Sequence, residues 1–352
     1  MESASKATGA ASHAIETITS SISKALGQLR QDKRSTSLLA LGAAVGVGYF
    51  GWKAFQRSYA PNLAENPIVV ITGGSQGIGL ATAHLLAAQG SHVVLLARSK
   101  EKLKEAVKAV SANGRVSAFA CDCSNARMVR DVFQRIQEEV GSVDVLVNSA
   151  GAGRFRALWE QSADAVIGSM ETPLLAAMLC SREVLPGMLQ RRKGWIMNVQ
   201  SPASLAAIPG ATAYVAMRWG LAGLTAALAA DTAGTGVMVQ DVVLGTVDSS
   251  YFSNNPGSWE RQPGIYTALV SPITTAQAAR GVLYALQSGA PTYTYPLSLR
   301  CLRVLNGLLP APVQALMTAS GWRPATDRGI VLPEDAPAAA PEDEGAVADS
   351  DV

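Results

Sequence analysis

The chain has 352 residues, of which 48% are hydrophobic and 16% are charged, and its formal net charge is +2. This length suits one α/β domain of about 230–260 residues with extensions. The near-zero charge gives no bulk attraction for nucleic acid, so we expect no nucleic-acid partner. All three histidines lie before residue 93 and form no metal-ligand spacing with the four cysteines. We therefore expect neither a metal site nor a Ser-His-Asp triad.

Residues 1–36 are rich in Ser, Ala and Lys, and their apolar side chains recur every three or four positions. That spacing is typical of an amphipathic helix. Two other interpretations stay open: an unstructured tail with chance periodicity, and a targeting peptide, against which the acidic residues of the segment argue. The apolar positions are Ile15, Ile18, Ile22, Leu26 and Leu29.

Residues 37–57 are predicted to form a transmembrane or membrane-associated helix. The segment 37–52 carries no charge, and basic residues stand on both sides of it. It is shorter than the roughly 20 apolar residues that cross a bilayer upright. Tyr49 and Trp52 suit a membrane interface, however, and Lys53 can extend the span by snorkelling. The alternative is a helix packed on the soluble domain, and the orientation stays open because both flanks are basic.

Residues 58–65 are predicted to be a linker, and the domain begins at residue 66. A short apolar run over 67–72 predicts a buried parallel strand, because it is apolar without alternation. A glycine-rich turn follows, and then a helical pattern over 78–89. Such a turn lets the backbone approach a pyrophosphate, and the first amides of the helix point at the anion. The alternative is a turn that binds nothing. The glycines are Gly73, Gly77 and Gly79.

The second predicted strand, 92–97, ends at Arg98. In dinucleotide-binding folds this position contacts the adenosine ribose. An acidic residue there bonds the 2′-hydroxyl, whereas an arginine accommodates a 2′-phosphate. Arg98 therefore predicts NADP(H), and the alternative is an ordinary solvated arginine. The next helix, 100–111, is strongly charged, and we expect its charges to form a solvated face.

Further strands are predicted at 115–121 and 143–147, with a helix at 126–139 between them. Strands that alternate with helices through short connections predict a right-handed, doubly wound parallel sheet of the Rossmann type. We place this α/β fold in a single domain over residues 66–296.

Three residues of the second half suit carbonyl chemistry. Ser201 follows a predicted strand at 195–199, and Tyr214 and Arg218 are four positions apart on one helix face. A hydride from a nicotinamide leaves an alkoxide that needs a proton, and a tyrosine beside a fixed positive charge can supply it. A serine hydroxyl can hydrogen-bond the developing oxyanion.

Three motifs resemble the short-chain dehydrogenase/reductase family over residues 66–290: Thr-Gly-x-x-x-Gly-x-Gly at 72–79, Asn-Ser-Ala-Gly at 148–151, and the interval from Ser201 to Tyr214. The resemblance implies the classical family type, with Ser201, Tyr214 and Arg218 as catalytic residues. It also implies that Asn148 braces the sheet. The cofactor-binding residues that it implies are Thr72, Gly73, Ser75, Gln76, Gly77, Ile78, Gly79, Arg98, Asp122, Asn148, Ala150, Gly151, Tyr214, Arg218, Gly245 and Val247.

The sequence departs from that family pattern in its catalytic half. Arg218 stands where the family has lysine; arginine keeps the charge but does not readily give up a proton. The position of the family's helix asparagine falls at Pro173, which is expected to interrupt the helix. Glu171 lies close and is a candidate substitute. The family's Pro-Gly after the sixth strand appears here as Leu244-Gly245.

The remaining sequence predicts a lid, an extension and a tail. Residues 250–270 are expected to cover the substrate. A helix over 274–287 and a strand near 292–296 complete the domain. Residues 297–330 are predicted to form an apolar helical extension. Three roles stay open for it: lining an entrance, touching a bilayer surface, or packing on the fold. The acidic segment 331–352 is expected to be disordered. The aromatic residues of the lid are Tyr251, Phe252, Trp259 and Tyr266.

The leading hypothesis is an NADP(H)-dependent oxidoreductase that interconverts a ketone and a secondary alcohol. Membrane attachment favours a hydrophobic, lipid-like substrate, and the catalytic domain then faces the cytosol from the endoplasmic reticulum or another organelle membrane. The segments 72–79 and 96–99 are similar to 3-ketodihydrosphingosine reductases. The first alternative is a pseudoenzyme that acts as a cofactor-binding scaffold at a membrane. The second is a membrane-shaping protein that uses residues 10–55. The family resemblance also implies a homodimer.

Overall fold

A computed structural model describes residues 65–151 and 153–324, together with the single residue Ser20. Several sequence predictions therefore concern residues outside the described part of the chain. These are the amphipathic segment 1–36, the membrane segment 37–57, nearly all of the linker 58–65 and the tail 331–352.

One parallel sheet organises the described residues between 65 and 324. Its strands are β1 (Ile68–Thr72), β2 (His92–Ala97), β3 (Val116–Ala120), β4 (Val145–Asn148), β5 (Gly194–Gln200), β6 (Val237–Leu244) and β9 (Thr292–Tyr295). Their spatial order is β3-β2-β1-β4-β5-β6-β9, and every neighbouring pair is parallel. The chain reverses direction across the sheet between β1 and β4, which is where doubly wound folds bind ligands. Two short strands, β7 (Val247–Asp248) and β8 (Ile273–Thr274), pair separately.

Helices cover both faces of this sheet, as the apolar strands require. In chain order they are α1 (Gly77–Ala88), α2 (Lys100–Ser111), α3 (Ala126–Glu139), α4 (Ala163–Met170), α5 (Ala176–Arg191), α6 (Thr212–Asp231), α7 (Tyr251–Asn254), α8 (Gly264–Leu269), α9 (Thr275–Ser288), α10 (Leu297–Leu308) and α11 (Pro310–Ala319). Helices α1, α2 and α9 pack together on one face. Side chains of α3 and α5 share a core with β1 to β6 on the other face.

The predicted Rossmann-type, doubly wound parallel sheet is confirmed by this topology. The predicted extension beyond residue 296 consists of two helices rather than one. Helix α10 ends at Leu308, and Leu309 leaves the helical region with φ −133° and ψ 61°. Pro310 opens α11 at its first position, where a missing backbone N–H costs nothing.

Within the described residues, two helical stretches are long and apolar enough to cross a membrane. They cover Ala163–Arg191 and Thr212–Asp231. In this fold they flank the central strands, and core helices of soluble proteins pass the same test. They therefore carry little weight for a membrane span, and the predicted membrane segment is a different part of the chain.

Candidate active site

The glycine-rich turn between β1 and α1 has the backbone geometry that a phosphate cradle needs. Gly73 and Gly77 have positive φ angles of 68° and 58°. A Cβ at Gly79 would lie 2.4 Å from the Gly73 carbonyl oxygen, so only glycine lets α1 pack so close to the turn. A Cβ at Gly77 would meet no atom within 4 Å among the described residues. That side of the turn is open to a ligand.

The ends of β1 and β4 are tied together beneath this turn. The Thr72 hydroxyl accepts hydrogen bonds from the amides of Ser149 at 3.1 Å and Ala150 at 3.0 Å. Thr72 is buried and does not line the cavity. Its position indicates that it braces the site and does not itself touch a ligand.

Asn148 also braces the fold, through a buried polar row that crosses the sheet. Its amide donates to Asn198 Oδ1 at 2.9 Å, and the Asn198 amide donates to Thr225 Oγ1 at 2.9 Å. The Thr225 hydroxyl in turn donates to Asp241 Oδ1 at 2.7 Å. Burial raises the pKa of the Asp241 carboxyl to about 6, against the opposing effects of that hydrogen bond and of nearby arginines. Sequence reasoning did not identify this row beyond Asn148.

A cavity of about 610 Å³ runs along the carboxyl ends of the strands. It brings together most of the residues predicted from the sequence, and only Thr72 and Asn148 of that set are absent from its lining. The predicted residues that line it are Gly73, Ser75, Gln76, Gly77, Ile78, Gly79, Arg98, Asp122, Ala150, Gly151, Ser201, Tyr214, Arg218, Gly245 and Val247.

The end of the cavity beside β2 and β3 is basic. Arg98 and Lys102 both line it and are exposed. Lys102 is exposed, as expected for the charges of α2, and it also lines the cavity. Sequence reasoning did not assign it to the site, although it lies in the first turn of the helix that follows Arg98. Asp122 lies nearby and accepts hydrogen bonds from the Ser124 amide at 2.9 Å and the Ser124 hydroxyl at 2.7 Å.

Ser201, Tyr214 and Arg218 meet at the other end of the cavity. Ser201 follows β5 directly, and its hydroxyl accepts from the Ala203 amide at 3.3 Å. Tyr214 is buried at the start of α6 and packs on Phe155, with 4.9 Å between ring centres. Tyr214 and Arg218 lie one helical turn apart, as predicted.

Arg218 is buried and points toward the same region. Its guanidinium lies 5.2 Å from the centre of the Tyr214 ring, and its Nη1 donates to the Val199 carbonyl at 2.9 Å. Its Nη2 would lie 3.2 Å from a Cβ placed on Gly151. The buried Nε has no hydrogen-bond partner among the described residues. The side chain therefore keeps unused donor capacity beside the cavity.

The helical stretch from Ala163 to Arg191 is interrupted at Pro173, as the sequence predicts. Residues Glu171–Leu175 form a wide π-type turn between α4 and α5, and Thr172 is extended with φ −134° and ψ 131°. Pro173 is buried and does not line the cavity. Because the helix is interrupted, Glu171 and Thr172 reach the cavity wall instead.

The segment from Ser249 to Tyr266 covers one side of the cavity. Tyr251, Phe252 and Tyr266 line it, whereas Trp259 is exposed and packs edge-on against Phe252, with 5.0 Å between ring centres. Trp259 therefore belongs to the covering segment without lining the cavity itself. Met317 of α11 also lines the cavity, so the extension closes part of the wall.

Tyr251 fixes the lid beside the catalytic tyrosine. Its hydroxyl donates to the Gly153 carbonyl, and its ring centre lies 6.5 Å from that of Tyr214. Burial raises the pKa of the Tyr251 phenol well above its ordinary value, and Tyr214 raises it further while Arg218 opposes the rise. Tyr251 therefore stays protonated and can serve as a donor.

The amide of Gly245 is already used within the fold. It donates to the Tyr295 carbonyl at 2.8 Å, so Gly245 lines the cavity without a free N–H. This differs from the expectation of an amide contact at that position. The pairing arises because the residue directly after β6 continues the hydrogen bonding of β6 with β9.

A partly buried ion pair joins four distant segments next to the site. Arg261 donates from Nη2 to Glu160 Oε1 at 2.8 Å and also pairs through Nη1. Its guanidinium stacks 4.2 Å from the centre of the Trp322 ring and reaches the Gly210 carbonyl at 3.3 Å. Arg261 lowers the pKa of the Glu160 carboxyl. Nothing in the local sequence indicated this cluster, because its members lie about 50 to 160 positions apart.

Comparison with known proteins covers this same part of the chain. A family model described as short chain dehydrogenase matches residues 67–259. A putative ketoacyl reductase of the granaticin polyketide synthase from Streptomyces violaceoruber is 34% identical over 192 residues, which are 54% of this chain and 71% of that protein. The human 3-oxoacyl-[acyl-carrier-protein] reductase is 33% identical over 180 residues, or 51% of this chain and 75% of that protein.

Solved structures give the same result. An alcohol dehydrogenase from the archaeon Thermococcus sibiricus, complexed with 5-hydroxy-NADP, aligns with a TM-score of 0.57 and 25% identity. It covers 66% of this chain and 95% of its own. A metagenomic short-chain oxidoreductase in complex with NADP aligns with a TM-score of 0.54 and 28% identity, over 65% of this chain and 95% of its own.

Proposed function

Because the chain belongs to the short-chain dehydrogenase/reductase family, we propose that it is an NADP(H)-dependent oxidoreductase that interconverts a ketone and a secondary alcohol on a hydrophobic substrate. The observation that carries the proposal is a single cavity with two chemically different ends. A basic end lies beside a glycine-rich turn, and Ser201, Tyr214 and Arg218 meet at the other end.

The residues present fit an NADP(H) cofactor. The open side of Gly77 leaves room for a pyrophosphate beside the first amides of α1. Arg98 and Lys102 supply two positive charges where a 2′-phosphate is expected. The buried donors of Arg218 lie beside Gly151, where a ribose hydroxyl can accept them. When bound, the cofactor supplies or accepts the hydride.

The protein's own task is to hold the carbonyl and to move a proton. In the direction of reduction, the Tyr214 hydroxyl donates its proton to the carbonyl oxygen of the substrate as that oxygen gains negative charge. The carbon gains a hydride, the oxygen gains a proton, and the product is a secondary alcohol. The Ser201 hydroxyl donates a hydrogen bond to the same oxygen and stabilises its charge.

Arg218 takes the place of the family's lysine as a fixed positive charge. It lies close to Tyr214 and stabilises the phenolate that remains after proton transfer. Because arginine stays protonated, the proton that restores Tyr214 reaches it by another route. The exposed carboxylate of Glu171, at the break between α4 and α5, lines the cavity and is a candidate for that role.

The substrate side of the cavity favours an apolar molecule. Phe155, Ile208, Phe252 and Met317 contribute apolar walls there. Together with the predicted membrane segment 37–57, these walls support a lipid-like ketone or alcohol and a location at an organelle membrane, such as the endoplasmic reticulum, with the catalytic domain in the cytosol.

A homodimer is the assembly that we propose for this domain. Helices α4, α5 and α6 leave large apolar side chains exposed, and family members commonly form homo-oligomers. Self-association would remove this surface from water. The exposed side chains are Ile167, Met170, Met178, Leu189 and Trp219.

The test is NADPH oxidation by the full-length protein in detergent, with short-chain and long-chain ketones. We expect turnover of a long-chain ketone and a loss of about 10²- to 10⁴-fold in kcat for Tyr214→Phe. Tyr284→Phe, at an exposed tyrosine of α9, is the matched control and should leave kcat unchanged. Arg218→Lys should keep turnover.

Two results would overturn parts of this proposal. NADPH binding without turnover of any ketone, together with turnover gained by Arg218→Lys, would identify a cofactor-binding scaffold that has lost its proton relay. Absence of NADPH binding would refute the cofactor assignment itself.

A further inference from the structure

Helices α10 and α11 lie beyond residues 67–259, the part of the chain that matches the family model. Their inner sides are firmly attached to the domain. Leu299, Val313 and Met317 are buried in one apolar cluster with Tyr266. The side chain of Gln314 bonds both backbone groups of Ala207, at 2.8 Å and 3.1 Å. These contacts fix which sides of the two helices face outward.

The outward sides are apolar. On α10 the exposed apolar positions recur at intervals of three or four, so they form one continuous stripe along the helix. Leu297 is 68% exposed and Leu308 is 74% exposed. A stripe of this kind on a soluble surface usually marks a contact with a partner or a membrane. Its members are Leu297, Cys301, Val304, Leu305 and Leu308, and Leu309 and Leu316 extend it toward α11.

The charged residues of this stretch of the sequence have one sign. From Arg261 to Pro324, both included, the sequence contains five arginines and no aspartate or glutamate. Two of these, Arg300 and Arg323, are exposed on or next to the two helices. An apolar stripe with arginines and without any carboxylate is complementary to a bilayer surface that carries anionic headgroups.

We infer that the outer surface of α10 and α11 docks on the surface of an anionic lipid bilayer. A second copy of the chain suits this surface less well. A symmetric contact would place the same arginines opposite each other, and no carboxylate of this region is available to pair with them. The inner side of α11 contributes Met317 to the cavity wall, so docking places the cavity beside the bilayer.

This inference does not depend on the proposed reaction, because vesicle binding is measured without turnover. It also concerns different residues from the predicted membrane segment 37–57. The experiment therefore needs a signal that comes from α10 itself in the full-length protein.

Cys301 provides that signal. The chain has four cysteines, and Cys301 is the exposed one, whereas Cys121, Cys123 and Cys180 are buried. A thiol-reactive fluorophore sensitive to polarity can thus be attached within the stripe. We expect its emission to shift to shorter wavelength with vesicles of phosphatidylcholine and phosphatidylserine. The shift should be absent with phosphatidylcholine alone, and added salt should reduce it.

Two variants make the test specific. Leu308→Asp should weaken the vesicle-dependent shift by about tenfold or more, because it replaces an inserting leucine with a carboxylate. Ile167→Asp adds the same charge to an exposed apolar position on α4 and should leave the shift unchanged. A probe at Lys108→Cys in a Cys301→Ser background reports from α2, at the opposite edge of the sheet, and should show no shift.

Three results would each overturn the inference. The first is full-length protein that floats with anionic vesicles while the Cys301 probe stays unchanged. The second is an equal shift with neutral vesicles. The third is a shift that depends on protein concentration without vesicles, which would assign the surface to a second copy of the chain.

Discussion

The cofactor-binding half of the domain, from β1 to β4, and the catalytic half, which begins after β4, follow the family pattern to different degrees. The first keeps the glycine turn, Asp122 and the Asn-Ser-Ala-Gly segment. The second keeps Ser201 and Tyr214 but has Arg218 for lysine and Pro173 for asparagine. A phosphate cradle is built from backbone amides and glycine conformations, which leave few alternatives. Catalytic support comes from side chains, and a charge or a donor can be supplied by another residue type.

Ser201→Ala tests the conserved part of the catalytic half and should have the largest effect. Loss of a hydrogen bond to the developing oxyanion should lower kcat by about 10²- to 10³-fold. The affinity for NADPH, measured by fluorescence titration, should not change. Ser169→Ala is the control, because Ser169 is a serine of α4 that does not line the cavity. Equal effects of the two substitutions would contradict the role given to Ser201.

Asp241→Asn tests whether the buried row of hydrogen bonds from Asn148 to Asp241 makes the stability of the protein depend on pH. The folded-state pKa of Asp241 is about 6 and thus raised, so its contribution to stability is complete below the unfolded pKa near 4. That contribution is lost as the pH rises through 6, and it amounts to about 3 kcal/mol. Wild-type unfolding free energy should therefore fall between pH 4 and pH 7 through this group.

The asparagine variant should lack that component of the pH dependence, as measured by urea unfolding at several pH values. Arg218 and Arg303 face the same carboxyl and lower its pKa, against the larger effect of burial. A variant with the same pH dependence as the wild type would show that Asp241 is not the titrating group.

Arg98→Ala and Lys102→Ala test the cofactor-binding half. Each should weaken NADPH binding by about 10- to 100-fold, because each removes one charge-assisted contact worth about 1.5–3 kcal/mol. The affinity for NADH should change little, so the ratio of NADPH affinity to NADH affinity should fall. Lys104→Ala, at an exposed lysine of the same helix that does not line the cavity, is the control. Parallel losses for NADPH and NADH would argue against a 2′-phosphate contact.

Glu160→Gln tests the cluster that only the catalytic half possesses. It removes the charge from a partly exposed partner of Arg261, so we expect a loss of about 1–2 kcal/mol in unfolding free energy. The KM for the ketone should rise while the affinity for NADPH stays the same, because the cluster holds the lid and not the turn. Glu183→Gln breaks an exposed ion pair with Arg182 and should cost less than about 0.5 kcal/mol. An unchanged KM would leave Glu160 without a role at the substrate side.

The sequence by itself determined the sheet, the turn and the catalytic spacing. The strands of the sheet are apolar runs, and the turn needs glycines at fixed positions. Short contiguous segments of the sequence therefore specify both. The interval from Ser201 to Tyr214 is likewise local, because it joins a strand end to the following helix. Even the interruption at Pro173 was predictable, since a proline in the interior of a helix removes a backbone hydrogen bond and clashes with the preceding turn.

Only the tertiary structure decided which distant side chains share the site. The pairing of Glu160 with Arg261 and Trp322 and the contribution of Met317 to the wall depend on how separate segments pack. The same holds for Trp259, which is exposed although Phe252, the ring it packs against, lines the cavity. Local patterns specify which face of an element is apolar, whereas the neighbour that covers that face is chosen by packing of the whole chain.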